Sequence, residues 1–301
     1  MKKCLLIAVN LIMVVQVYCQ TYTDKKGNVH LWGELDIEEL KNAPYDDWYE
    51  KNSKDYRSNL SEDDAFIFKN VKAKVFIGTW CGDTKFLVPK FIKTWNQLGL
   101  NENDLQLIGL HNEGDLYKQG PNSETEGLNI HKVPTIIFEK EGKEIGRIVE
   151  RTIFDLDTDM KQIAMGNPYE ERYQAVAMLD QLMQEIDDDS LFIKENIITI
   201  YNKIRREVST GSELNAYGYV LKAQGQDKKA EFVFLMNTYL FKYDPNVHDS
   251  YGEMLMSIEQ WSEAKKEYEE VLRLKGSDDH AVAQLFKINE ALKVQNLNEG
   301  E

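Results

Sequence analysis

Cys81 is the residue whose type and position point most directly to chemistry. It follows a short apolar run, Val75 to Gly78, that is typical of a buried strand. It precedes a stretch, Lys85 to Leu98, whose apolar residues fall near one helical stripe. At the start of a helix, unpaired N–H groups and the positive end of the dipole favour the thiolate. Because the thiolate is the nucleophilic form of cysteine, this position predicts a reactive sulfur.

The other cysteines restrict what this sulfur can do. Of three cysteines in the chain, Cys4 and Cys19 lie in a segment with a basic start and an apolar stretch, residues 1–19. This pattern is typical of a signal peptide, so we expect cleavage before Gln20 and export to the periplasm or cell envelope. A lipoprotein acylated at Cys19 is the alternative. After cleavage Cys81 is alone and cannot form an internal disulfide.

Composition argues against several classes of function. The 301 residues carry a formal net charge of -15, which opposes binding to nucleic acid. The five histidines are scattered without metal-ligand spacing, so we expect no metal and no other cofactor. His131 lies close to Pro134 in the sequence, and we expect it to be a surface histidine; a place at the rim of a site around Cys81 is the alternative.

The residues around Cys81 resemble the thioredoxin family. The family pattern is Trp-Cys-Gly-x-Cys, then a lysine and, four residues later, a proline. The matching residues of this chain are Trp80, Cys81, Gly82, Lys85 and Pro89. A second signature, a cis-proline followed by a threonine, matches Val133-Pro134-Thr135 ahead of an apolar strand. With its helical tail, the chain looks similar to exported thioredoxin-like proteins of Bacteroidetes-type bacteria.

The resemblance implies a role for each matching residue. Cys81 would be the nucleophile, with Trp80 and Gly82 beside it at the client-binding surface. Asp83 would also lie at this surface, but it departs from the pattern because the family has an apolar residue or proline there, and its negative charge opposes a thiolate nearby. The segment 133–135 would lie against the sulfur and pair with an extended protein client through main-chain hydrogen bonds, which is β-augmentation.

Two further departures from the family pattern limit this chemistry. Thr84 stands where the family has its resolving cysteine, so Cys81 would form a mixed disulfide that it cannot release alone. Thr84 would instead donate a hydrogen bond to the thiolate. The buried acid of dithiol members would fall near Val75, which cannot ionise. Two functions therefore stay open: monothiol disulfide exchange, and a redox-inactive scaffold that binds proteins.

The chain divides into two predicted folded parts. Residues 71–165 alternate strand and helix and end in a strand hairpin and a helix, which with the resemblance predicts an α/β thioredoxin fold: a central mixed sheet flanked by helices. Residues 20–70 are an N-terminal extension that we expect to pack on this domain, with a helix over residues 46–59. Residues 166–210 form a helical connector, 211–295 an all-α domain, and 296–301 a tail.

A repeat is visible in the all-α part. Small and aromatic residues recur with a period of 34 residues. The equivalent pairs are Gly218 with Gly252, Ala230 with Ala264, and Phe234 with Tyr268. This order and period resemble the tetratricopeptide repeat, whose groove would bind a peptide or helix of a partner.

Overall fold

A mixed six-stranded sheet forms the first half of the protein, which we describe over residues 20–299 from a computed structural model. The strands are β1 (Gln20–Thr23), β2 (Val29–Leu35), β3 (Val71–Ile77), β4 (Leu105–Gly109), β5 (Thr135–Lys140) and β6 (Lys143–Val149). Their order across the sheet is β1-β2-β4-β3-β5-β6. The predicted signal peptide, residues 1–19, and the end of the predicted tail, residues 300–301, lie outside the described residues.

The central strand β3 carries the residues that lead to Cys81. It pairs in parallel with β4 and antiparallel with β5, so that Val75 lies opposite Leu107 on one side and Ile136 on the other. All three residues are buried, as a strand covered on both faces requires. The four strands that the sequence predicted are therefore present as β3 to β6.

Two apolar cores of unequal size cover the sheet. Helix α3 (Gly82–Gln97) and helix α4 (Leu156–Ala164) pack on one face with the larger core, which includes Trp95 and Met160. The opposite face carries a smaller core around Phe76, and the loop residues Ile130 and Val133 close it. Cys81 borders this smaller core at the end of β3.

The N-terminal stretch contributes more than the packing that the sequence predicted, because β1 and β2 extend the sheet beyond β4. The close approach of β2 depends on Gly109, where a Cβ atom would lie 2.6 Å from the Leu31 carbonyl oxygen. Helices α1 (Ile37–Leu40) and α2 (Asp46–Ser53) and a 3-10 turn (Glu62–Phe68) follow.

The helix predicted over residues 46–59 ends early, at Ser53. Beyond it, the Ser58 hydroxyl and the Asn59 backbone N–H donate to the Asp157 carboxylate of α4 at 2.7 and 2.6 Å. These charge-assisted bonds, one buried and one part-buried, use a backbone donor that a continued helix would have bonded to the carbonyl four residues earlier.

The second half of the protein is helical. Its helices are α5 (Gln174–Gln184), α6 (Lys194–Ile204), α7 (Gly211–Ala223), α8 (Asp227–Leu240), α9 (Pro245–Ser257), α10 (Trp261–Lys275) and α11 (Asp279–Glu299). They lie in the region that the sequence predicted to be helical, residues 166–295, except that α11 continues to Glu299 in the predicted tail. Helices α5 and α6, in the predicted connector, share one apolar core with α7 to α11.

The 34-residue period corresponds to two helix pairs with the same internal packing. A Cβ atom on Gly218 of α7 would lie 2.7 Å from the ring of Phe234 in α8. The equivalent atom on Gly252 of α9 would lie 2.8 Å from the ring of Tyr268 in α10. Each glycine thus lets an aromatic ring of the next helix lie against the helix backbone. Among residues 20–299, no helix is long and apolar enough to cross a membrane.

Candidate functional site

Cys81 lies at the point where β3 gives way to α3. It is the N-cap residue of α3 in extended conformation, and its carbonyl accepts the first helical hydrogen bond, from Lys85 at 3.1 Å. The thiol is half-buried and donates to the Val133 carbonyl at a sulfur–oxygen distance of 3.1 Å. The structure therefore brings together the two motifs that the sequence placed on opposite sides of one site.

The segment opposite the sulfur is held on both sides. The Val133–Pro134 peptide bond is cis. The Pro134 carbonyl accepts from the Glu150 backbone N–H at 2.7 Å, and the Thr135 hydroxyl donates to the Lys132 carbonyl at 2.8 Å. These bonds fix the position of the Val133 carbonyl that the thiol contacts.

The residues flanking Cys81 have distinct contacts. Trp80 donates from its indole N–H to the Leu110 carbonyl at 3.2 Å, and its ring lies over Gly78, where a Cβ atom would be 2.4 Å from it. Gly82 is exposed, with no atom near its Cβ position. Asp83 pairs with Arg151 at 2.9 Å, which partly neutralises its charge beside the sulfur.

Thr84 has a different hydrogen-bond partner from the one that was predicted. It is fully buried, and its hydroxyl oxygen accepts from the Gly78 backbone N–H at 3.3 Å. Among the described residues no hydrogen bond joins Thr84 to Cys81. In this structure its hydroxyl links the end of β3 to the first turn of α3.

Cys81 opens into a cavity of about 370 Å³ between the sheet and the helical half of the protein. On the sheet side the cavity is lined by Trp80, Cys81, Tyr117, Lys118, Lys132, Val133 and Glu150. On the helical side it is lined by residues of α7 and of the first turns of α9, which are Ser212, Asn215, Ala216, Tyr219, Asn246, Asp249 and Ser250. The repeat helices therefore form one wall of the cysteine site.

Lys118 is a buried cation in this cavity. Its side chain is 4% exposed, and its ammonium donates to the His131 carbonyl at 2.5 Å and to the Tyr117 hydroxyl at 2.7 Å. Burial, with a smaller contribution from the charge of Lys132, lowers the pKa of Lys118 to about 7. The charge of Cys81 acts in the opposite direction on this pKa, so the two groups interact electrostatically.

His131 is buried, which corrects the prediction of a surface histidine. It is 5% exposed and packs edge-on against Tyr173 and against Tyr217 of α7. Burial lowers its pKa to about 3, and Nε2 has no hydrogen-bond partner. The ring is thus a neutral packing element between the two halves of the protein.

Charged groups of both halves meet beside this histidine. Lys132 lies 4.0 Å from Glu150, which also accepts a short hydrogen bond from the Tyr173 hydroxyl. Glu213 of α7 is 1% exposed, and burial raises its pKa to about 7 against the opposing effect of Lys132. The junction between the halves therefore contains groups that titrate near neutral pH.

A larger cavity, about 830 Å³, lies beyond Trp80 on the side of β1 and β2. His30 at its edge is hydrogen-bonded to Thr79 at 3.1 Å and to Asp24 at 3.2 Å. This chain of contacts ties the N-terminal strands to the turn that carries Cys81.

Sequence reasoning missed Lys118, Lys132 and Glu213. Lys118 lies in a loop without a recognisable motif. Lys132 directly precedes the Val133-Pro134-Thr135 signature but is not part of it. Glu213 lies in a predicted helical region, where an acidic residue is ordinarily solvent-exposed. Lys118 and Lys132 line the cavity of Cys81, and Glu213 interacts electrostatically with Lys132. These placements depend on how the two halves of the protein pack, which no local pattern encodes. Within residues 20–299, no group of three or more His, Cys, Asp or Glu residues is arranged to hold a metal ion.

Comparisons with known proteins add little to this geometry. No protein-family profile matches the chain, and no curated protein matches it. Among solved structures, the first TPR domain of the human RPAP3 protein, determined by NMR, aligns with 41% of this chain and 96% of its own length. The identity is 19% and the TM-score 0.29, which does not establish a shared fold.

Proposed function

We propose that this protein is an exported thioredoxin-like protein that forms mixed disulfides with protein clients through Cys81, while its tetratricopeptide-type helices help to bind the client. The observation that carries the proposal is the contact between the Cys81 thiol and the Val133 carbonyl at 3.1 Å, beside a cavity that repeat helices also line. A sulfur at a helix start, next to a backbone segment and an open cavity, has the surroundings of a reactive cysteine.

The proposed step is one thiol–disulfide exchange. The Cys81 thiolate attacks one sulfur of a client disulfide, a new sulfur–sulfur bond to Cys81 forms, and the client bond breaks. The other client sulfur leaves with the electron pair as a thiolate and takes up a proton. Because Thr84 stands in place of a second cysteine, release requires a thiol of the client or of a small-molecule donor. Attack by a client thiol makes the cycle an isomerisation, with no net oxidant or reductant.

Ionisation of Cys81 is coupled to client binding in this scheme. In the resting site the S–H group donates to the Val133 carbonyl, the acceptor that a pairing peptide would use. Loss of the proton removes that donor and frees the carbonyl for the peptide. The cavity of about 370 Å³ favours an extended client segment over a folded surface, because a folded domain cannot enter a space of this size.

The second candidate is a redox-inactive protein-binding scaffold. Two observations favour it: the part of the chain that the structure describes contains one cysteine, and its thiol is hydrogen-bonded as a donor. In this case the cavity walls would bind the partner, and the sulfur would act as a packing group.

The two candidates are separated by mass spectrometry of the intact protein after incubation with an oxidised peptide. Exchange predicts an adduct of one peptide half on the wild-type protein and no adduct on Cys81→Ser. Absence of an adduct, together with alkylation of Cys81 no faster than in the unfolded chain, would refute exchange. The scaffold function then predicts that Cys81→Ser keeps every cellular partner. N-terminal sequencing of the protein from the cell envelope tests export.

A further inference from the structure

Lys118 is a buried cation whose surroundings leave part of its hydrogen-bonding capacity unused. An ammonium has three N–H donors, and two of them reach the His131 carbonyl and the Tyr117 hydroxyl. Among the residues that the structure describes, no carboxylate pairs with it, although burying an unpaired charge is costly. One donor is therefore available to a group in the cavity that Lys118 shares with Cys81.

The sulfur and the ammonium are anchored to the same short segment. The Cys81 thiol contacts the carbonyl of Val133, and Lys118 contacts the carbonyl of His131, two residues earlier. The backbone of Lys118 itself has φ of 54°, a left-handed conformation that is unfavourable for a lysine and that concentrates at functional sites. The loop thus places Lys118 at the cavity that Cys81 also lines, at a conformational cost.

We propose that Lys118 is a catalytic residue of the Cys81 site and carries the proton of the exchange reaction. This inference rests on the function proposed above. The neutral amine takes the proton of the Cys81 thiol, giving a thiolate beside an ammonium. After the thiolate attacks the client disulfide, the ammonium gives the same proton to the departing client thiolate and becomes neutral again. No proton or electron is left unaccounted for, and no other reactant is needed.

Lys118 fills a place that the family pattern leaves empty in this chain. The resemblance puts the usual proton-transferring acid near Val75, which is buried and cannot ionise. A lysine with a pKa of about 7 exists in both protonation states at neutral pH, which is the condition for accepting and returning a proton. The groups that interact with it are Cys81, Lys132 and Glu150, with Tyr117 as a neutral neighbour whose pKa burial raises to about 12.

The test compares two kinds of disulfide. An alkyl peptide disulfide has a basic leaving thiolate that needs a proton, whereas an aryl disulfide has a leaving thiolate that is stable without one. Lys118→Met keeps the length of the side chain but cannot carry a proton. We expect it to slow exchange with the alkyl disulfide by about 100-fold and with the aryl disulfide by much less. The pH midpoint of Cys81 alkylation should also rise.

Two further variants complete the experiment. Lys118→Arg keeps the charge but holds its proton permanently, so it should restore fast alkylation without restoring exchange with the alkyl disulfide. Lys143→Met removes an exposed lysine at the start of β6 and should leave both rates unchanged. Equal rates in Lys118→Met and wild type, or equal slowing with both disulfides, would overturn the role of Lys118 while exchange itself stands. A wild-type protein that reacts with neither disulfide refutes the proposed function instead.

Discussion

Replacing Gly218 by alanine tests the packing of the repeat helices. The new methyl carbon would lie 2.7 Å from the Phe234 ring, well inside van der Waals contact. Phe234 has no exposed surface and cannot swing away, so the helices must move apart or the ring must leave its rotamer. The same substitution in an open helix would be favourable, because alanine is the better helix former.

The expected magnitude follows from these two opposing effects. Overpacking a core costs about 1–3 kcal/mol. The gain in helix propensity from glycine to alanine offsets about 1 kcal/mol of that cost. We therefore expect Gly218→Ala to lower the free energy of unfolding by about 1 kcal/mol. Gly82→Ala is the matched control, since no atom lies within 4 Å of its Cβ position. It should leave stability unchanged or raise it.

The assay is chemical denaturation of both single variants, of Phe234→Leu, and of the double variant Gly218→Ala/Phe234→Leu. A smaller residue at 234 makes room for the methyl group, so the double variant should be more stable than the sum of the two single effects by about 1 kcal/mol. If Gly218→Ala is as stable as Gly82→Ala, or if the two effects simply add, the close contact between α7 and α8 is not present in solution.

Three other substitutions test the junction and the site. Burial raises the pKa of Glu213 to about 7, so between about pH 4.5 and 7 the folded protein binds more protons than the unfolded chain, and the free energy of unfolding falls as pH rises. Glu213→Gln removes this loss. Between pH 5 and pH 8, the free energy of unfolding of the variant, measured by denaturation, should therefore rise by about 2 kcal/mol relative to that of the wild type. Burial lowers the pKa of His131 to about 3, so the unfolded chain binds the extra proton below about pH 6.5 and stability falls as pH falls. His131→Phe should reduce the loss of unfolding free energy between pH 7 and 4.5 by about 2 kcal/mol, and an unchanged loss would contradict its burial as a neutral ring. Thr84→Cys introduces a second thiol at the position where the thioredoxin pattern has one, and it should shorten the lifetime of mixed disulfides at Cys81, measured by intact mass. An unchanged lifetime would argue against the resemblance.

Local patterns in the sequence predicted much of the fold. The apolar run before Cys81 became β3, and the stripe after it became α3, because strand and helix periodicity are set by neighbouring residues. The period of 34 residues predicted two equivalent helix pairs for a related reason. Gly218 and Gly252 each pack against an aromatic residue at the same distance along the chain. Both predictions depend on contacts within one supersecondary unit.

Features that depend on long-range packing could not be predicted. The strand β2 pairs with β4 across more than seventy intervening residues, and its polar, aromatic sequence carries no clear alternation. His131 is buried because Tyr217 of α7 packs against it, and Lys118 reaches the cysteine site through a loop without a motif. Each of these placements is decided by how the sheet and the helices meet. The sequence therefore located Cys81 at the start of a helix but not the groups that surround it.

Trapping in cells shows directly whether Cys81 forms disulfide bonds with protein clients. The tagged full-length protein is isolated from an envelope fraction after acid quenching and alkylation, and complexes are separated without reductant. If Cys81 exchanges disulfides with clients, disulfide-linked complexes will be found that disappear on reduction and are absent from Cys81→Ser. Complexes that persist in Cys81→Ser, or a wild-type protein recovered entirely with a free thiol, would contradict it.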